Sequence, residues 1–260
     1  MTHRARKRFG QNFLTDPNII QRIIDTIHPA AGELILEIGP GQAAISAPLA
    51  ASGAELHLLE IDRDLAARLE TRFGSAGNVT LHVVDALKAD FEEIAQGRPF
   101  RLVGNLPYNI STPLLFHVLR WKDRIIDMHF MLQQEVVNRM AASPGRKAWG
   151  RLSVMCQVFC DVSPLFHVPP GAFAPAPRVE SAFVKLVPHA SPPVEIRDMG
   201  TFERVVGLAF SMRRKTLRNS MKSVLDAARI EAAGIDPGLR PEALGLEQFA
   251  ALSNSLDSGS

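Results

Sequence analysis

The stretch Leu34-Ile35-Leu36-Glu37-Ile38-Gly39-Pro40-Gly41-Gln42-Ala43-Ala44 decides how the chain is read. Its first five residues make a short apolar run, and Gly-Pro-Gly ends it. A run of that length stopped by glycines reads as a buried strand entering a tight turn. Residues 43–51 predict a helix, with Pro48 constraining where it can begin. Strand, glycine turn and helix together form the unit that holds an adenosyl group in a doubly wound sheet. Gly39 and Gly41 allow backbone to approach a ligand where a side chain would clash. The pattern is not the full G-x-G-x-x-G of dinucleotide sites, because Ala43 or Ala44 stands where a third glycine could be. Alone, it also fits an ordinary turn.

Outward from this unit the pattern repeats. Upstream, Asp16-Pro17 precedes isoleucines at 19, 20, 23, 24 and 27, which predicts an amphipathic helix with Asp as N-cap and Pro in its first turn. Downstream, strands are expected at 55–61, 79–84, 100–103 and 125–132, alternating with helices at 64–73 and 111–121. Such alternation implies a mainly parallel sheet covered on both faces. Residues 164–177 are rich in proline and aromatics and suggest a shaped loop between late strands, with 181–187 returning as a strand. After a linker at 188–193, helical periodicity runs over 202–225, with more helix at 226–233 and 246–253. The expected fold is α/β, a doubly wound Rossmann-like sheet in residues 1–190. A small all-α carboxyl-terminal domain follows in residues 195–260.

Two acids sit at the edge where such sheets bind ligands. Glu60 closes the second strand about 20 residues beyond the glycines, where an acid can accept from both ribose hydroxyls. Asp85 closes the third, where it can accept from an adenine amine. Ile61 and Ala86 flank them. A phosphate-bearing cofactor would favour cations here, whereas an acid-rich rim suits the sulfonium of S-adenosylmethionine.

Asn105-Leu106-Pro107-Tyr108 follows the fourth strand at the same edge. The N6 amine of adenine is a poor nucleophile, because its lone pair is delocalised into the ring. The Asn105 side-chain oxygen and a backbone carbonyl near Leu106 can both accept from that amine, favouring a pyramidal nitrogen aimed at the methyl group. Pro107 stiffens the loop. Tyr108, the chain's one tyrosine, can stack on a base drawn out of its helix. Phe173 is a candidate for the second face of the clamp. Positioning and electrostatics carry this chemistry, and it needs no metal.

Composition sets outer limits. The 260 residues, 46% hydrophobic and 22% charged, are ordinary for a globular protein, and the net charge is only +2. The cations are clustered: Arg4, Arg6, Lys7 and Arg8 at the start, Arg146, Lys147 and Arg151 midway, and Arg213, Arg214, Lys215, Arg218 and Lys222 late. Such patches can hold phosphates on a near-neutral protein, or be plain solvated surface. No apolar run approaches a membrane span, and the basic start lacks a signal-peptide core, so a cytoplasmic location is expected. Cys156 and Cys160 read as core residues, and the eight histidines contain no H-x-x-x-H pair.

In combination these motifs resemble the KsgA family of ribosomal RNA small-subunit adenine dimethyltransferases. The likeness runs through R-F-G-Q-N-F-L at 8–14, E-I-G-P-G at 37–41, L-E-I-D at 59–62, V-D-A-L at 84–87 and N-L-P-Y-N at 105–109. It continues through F-H-V-P-P-G-A-F-A-P-A-P-R-V-E-S-A at 166–182 and R-R-K-T-L-R-N at 213–219. It implies dimethylation of two adjacent adenosines near the 3′ end of 16S ribosomal RNA in a late 30S precursor, with a part in monitoring assembly. It also implies that Gln11, Asn12 and Leu14 join Gly39, Glu60, Asp85 and Asn105 around the cofactor, and that Arg213, Arg214, Lys215 and Arg218 face RNA. A monomer is the default. The rival readings are a large-subunit (23S) adenine methyltransferase of the resistance type and a non-catalytic ribosome assembly factor. A DNA adenine methyltransferase would show Asn-Pro-Pro-Tyr, which Leu106 opposes, and a nicotinamide oxidoreductase lacks a hydride-transfer partner.

Overall fold

The computed structural model describes residues 12–107, 110–212 and 214–257. Its strands are β1 (Phe13–Leu14), β2 (Leu34–Ile38), β3 (Glu55–Glu60), β4 (Val79–Val83), β5 (Phe100–Asn105), β6 (Ile125–Gln133), β7 (Cys160–Val168), β8 (Phe173–Ala174) and β9 (Ser181–Pro188). Seven of them form one sheet in the order β4-β3-β2-β5-β6-β9-β7. The pairs from β4 through to β6 are parallel, and β9 runs antiparallel to β6. The chain steps outward from β2 to β3 and β4, then returns to the other side of β2 as β5. That reversal between β2 and β5 opens a crevice at the carboxyl ends of the strands, where doubly wound folds bind ligands.

Local chemistry explains the elements. The helix Pro17–Ile27 starts where expected: Asp16 accepts from the N–H groups of Asn18 at 2.8 Å and Ile19 at 3.4 Å, with Pro17 in the first turn. Its Ile23 and Ile27 are buried in a core shared with Ile35, Leu49, Leu56, Leu58 and Val103. All five residues of β2 are buried, as a central parallel strand covered on both faces requires.

Several expectations are corrected. The helix after the glycine turn begins at Ser46, not at 43, because Ala43 sits at φ +65°, outside the helical region. The 164–177 loop is shorter than expected: β7 continues through Pro164 to Val168. As an outer strand of the sheet, β7 can carry a residue that lacks an N–H. The helix expected over 202–225 is broken. It runs Met199–Ala209, and a second short helix, Leu217–Ser220, follows a turn in which Arg214 is left-handed at φ +64°. The Ser211 hydroxyl donates to the Leu208 carbonyl at 2.7 Å, capping the first helix.

The chain divides into two compact units. One runs through Val137 and includes Ser163–Pro188; the other combines Asn138–Val162 with the residues from His189 onward. The second unit therefore contains a segment that the division into 1–190 and 195–260 left in the first. Its helix Arg151–Phe159 is apolar on most sides, and Trp149, 3% exposed, donates from Nε1 to the Leu244 carbonyl at 2.9 Å. That buried bond ties 149 to 244 across the sequence, giving Trp149 a packing role. Cys156 and Cys160 are buried free thiols. Among the described residues no helix is long and apolar enough to cross a membrane.

Candidate active site

The carboxyl ends of β2 to β5 enclose a cavity of about 240 Å³. Gly39 and Gly41 turn away from β2 at φ +68° and +56°, and a Cβ on Gly41 would lie 3.2 Å from the Phe13 ring. Both glycines are thus required by conformation, the second also by packing. Glu60 fastens the turn to β3, accepting from Gly41 N–H at 3.3 Å through Oε2 and from Asp62 N–H at 2.8 Å through Oε1. The carboxylate, with about four acceptor sites, keeps acceptor capacity for a ligand. After β4, Asp85 accepts from Leu87 N–H at 3.0 Å.

On the other side of the crevice, Gly104 lets β5 pass close to β2, since a Cβ there would come within 2.7 Å of the Ile38 carbonyl. Asn105 follows, and its Nδ2 donates to the Asn12 carbonyl at 3.0 Å. A carbonyl can only accept, so this bond fixes which end of the Asn105 amide is which and leaves Oδ1 as its acceptor end. Asn12 is held in turn by its neighbours: β1 pairs with β8, Leu14 opposite Phe173, and Thr15 N–H donates to the Ala172 carbonyl at 2.8 Å. The Leu106 N–H donates to the Met131 carbonyl at 3.2 Å, anchoring the loop to β6.

Most residues singled out in the sequence meet here. Asn12, Leu14, Gly39 and Gly41 line one side, Glu60, Ile61, Asp85 and Ala86 the opposite rim, and Asn105, Leu106 and Pro107 the loop. Ile61, 48% exposed, offers an apolar surface at the mouth. Gln11, Tyr108 and Arg213 lie outside the described residues. Phe173, 4% exposed, packs in the core and pairs through its backbone with Leu14; it is not among the residues lining the cavity. Arg214, Lys215 and Arg218 are exposed in the second unit.

One residue of the site belongs to none of the expected roles. Glu37, in the middle of the apolar run, lines the cavity and is 2% exposed. The sequence signal is an acid at a position with no polar face available to it. Burial pushes its pKa up to about 7, opposed by the Ser46 hydroxyl and aided by the Glu60 charge. Burial also raises Glu60, against the N–H donors of Asp62 and Gly41. Among the described residues, the ionisable groups lining the cavity are Glu37, Glu60 and Asp85, with no cation beside them. Such a pocket suits a cation carrying hydroxyl and amine donors, and repels phosphate.

The family model for ribosomal RNA adenine dimethylase matches residues 2–258. The chain belongs to that family. The chain is 56% identical over 255 residues to the ribosomal RNA small subunit methyltransferase A of Pseudomonas putida, covering 98% of this chain and 96% of the relative. It is 55% identical to the protein of the same name from Pseudomonas aeruginosa, covering 98% and 95%. Among solved structures it is similar to the 23S rRNA methyltransferase ErmE, with a TM-score of 0.74 and 28% identity over 95% of this chain and 100% of that one. A dimethyladenosine transferase from Plasmodium falciparum gives a TM-score of 0.79 at 23% identity over 92% and 95%, a likeness of fold. The chain thus carries the class I methyltransferase sheet, with its cavity at the strand edge where the fold places one.

Proposed function

We propose that the chain transfers methyl groups from S-adenosylmethionine to the N6 amines of two adjacent adenosines near the 3′ end of 16S ribosomal RNA. We further propose that it acts on a late small-subunit precursor, and so doubles as an assembly checkpoint. The observation that carries the reading is the Asn105 amide, turned by Asn12 so that its oxygen is the acceptor end, at the rim of an acid-lined cavity. The small-subunit relatives, at 55–56% identity, support the choice of RNA over the large-subunit alternative that the likeness to ErmE raises.

The residues fit the cofactor. The left-handed glycines give it a backbone cradle, Glu60 has lone pairs for ribose hydroxyls, Asp85 for the adenine amine, and the uncompensated acids suit a positive charge. When bound, S-adenosylmethionine supplies an electrophilic methyl group on sulfur. The chain's own work is positioning. Asn105 Oδ1 and the Leu106 carbonyl would accept the two amine hydrogens, which localises the nitrogen lone pair and aims it. Tyr108 would stack on the extruded base. After transfer the extra proton leaves N6 for solvent, so no strong base is required. In the helical unit, exposed Arg214, Lys215 and Arg218 would hold RNA phosphates.

The test is incubation of unmethylated small and large ribosomal subunits with labelled cofactor, followed by mapping of the modified nucleotides. Label on two adjacent adenosines of 16S RNA is the expected result. Label in 23S RNA would favour the resistance-type activity, and particle binding without label would favour a non-catalytic assembly factor.

A further inference from the structure

Glu37 has no part in the chemistry described so far, yet it faces the same cavity. Its carboxyl oxygen Oε2 is buried and makes no hydrogen bond, and the one side-chain donor that acts on the group is the Ser46 hydroxyl on the adjoining helix. The other two acids of the cavity each have backbone donors: Glu60 has Gly41 and Asp62, and Asp85 has Leu87. From β5 and the 12–14 segment the cavity receives the neutral Asn105 and Asn12. A buried carboxylate with one oxygen unpaired and, among the described residues, no cation beside it is costly, and it sheds that cost by holding a proton until a positive charge arrives.

The methyl donor and its product differ by one charge, since sulfonium becomes thioether. We propose that Glu37 lets the cavity distinguish the two by charge: held ionised opposite the sulfonium, and left opposite the thioether to keep or lose its proton as in the ligand-free protein. The inference rests on the cofactor reading above. Donor binding then releases up to one proton to solvent, and exchange of donor for product takes one back. Burial places the balance point of this carboxyl in the ligand-free protein at about 7, within the working range of the experiment.

The experiment is calorimetric titration of the protein with S-adenosylmethionine and with S-adenosylhomocysteine. It spans pH 6 to 8, in two buffers of different ionisation enthalpy. If only the ionised form binds the donor well, donor affinity tightens about tenfold across that span, while product affinity changes less than about threefold. The buffer comparison should show proton release with the donor and little with the product, a count that needs no variant. Glu37→Gln, checked by circular dichroism, should flatten the donor's pH slope and bring the two affinities closer at pH 8. Equal slopes for the two ligands in the wild type, or an unchanged donor slope in E37Q, would overturn the inference. Absence of binding by the wild type to either ligand at every pH would overturn the cofactor reading, and this inference with it.

Discussion

Strand β5 carries a group from each of two buried polar clusters, and they are built on opposite rules. Near its start, Arg101 makes a two-pronged contact with Asp127, Nε to Oδ1 at 2.8 Å and Nη2 to Oδ2 at 3.0 Å. It also reaches Glu33 at 2.9 Å and the Ile27 carbonyl at 2.7 Å. Burial works against the Asp127 charge, but His129 and Arg101 outweigh it and hold the carboxyl well below the usual range. At the end of the same strand, Asn105 borders a cavity whose acids have no cation among the described residues, and burial raises Glu37 and Glu60 instead. The first cluster is neutralised by its own ion pairs and ties β5 to β6 and to the end of the helix Pro17–Ile27. The second is incomplete without a ligand. Compensation marks a cluster that serves the fold, and its absence marks one that serves binding.

If that division holds, substitutions at the two ends should fail in different ways. The largest effect is expected from Asn105→Ala. Losing the oriented acceptor should lower methyl transfer about a thousandfold, while the lost bond to Asn12 costs roughly 1 kcal/mol of stability. Single-turnover assays beside thermal melts would read both; near-normal turnover would remove Asn105 from the chemistry. Arg101→Met should do the reverse. It strands Asp127 without its main counter-charge and should cost about 3–5 kcal/mol of stability, with cofactor affinity of the remaining folded protein intact. Denaturant melts measure the first and calorimetry the second, and a variant as stable as the wild type would break the comparison.

A third variant carries the contrast into pH. The folded pKa of Glu37, about 7, lies above its ordinary 4.5. Its contribution to the stability of the ligand-free protein is therefore fully present below the ordinary value and lost as pH rises through the folded one. A glutamine amide at this position has no such proton to lose. Glu37→Gln should accordingly match the wild type near pH 4.5 and exceed it at pH 8 by up to about 3 kcal/mol. Chemical denaturation at the two pH values checks the sign; equal stability at pH 8 would mean that the carboxyl is solvated after all.

The parallel strands and the glycine edge were legible in the sequence because each rests on a local pattern: an apolar run, a stop, and an acid or amide at the stop. What escaped was held by distant partners. The pairing of β1 with β8 joins two dipeptides across the length of the chain through backbone bonds alone, so neither carries a periodicity. Phe173 consequently reads as a free aromatic, though its strand is what positions Asn12. Strand β7 is hidden by Pro164, whose missing N–H matters only in an inner strand. Glu37 is hidden by its own company, since an acid inside LILEI counts as one more strand residue until burial on every side is known.

The smallest effect concerns the departure from a glycine-rich turn. Ala43 occupies the left-handed region at φ +65°, yet its methyl group is 2% exposed within the core. Glycine would relieve a strain of roughly 1–2 kcal/mol, against about 0.8 kcal/mol for the lost buried methyl and about 0.5–1 kcal/mol for the freer unfolded chain. These nearly cancel, so Ala43→Gly should move the melting temperature by no more than about 3 °C in either direction. Ala43 is not among the residues lining the cavity, so donor affinity should stay within about threefold. A loss of affinity with stability unchanged would show that the strained alanine holds Gly39 and Gly41 in place for the ligand, making the turn part of the binding end of the sheet and not merely of its core.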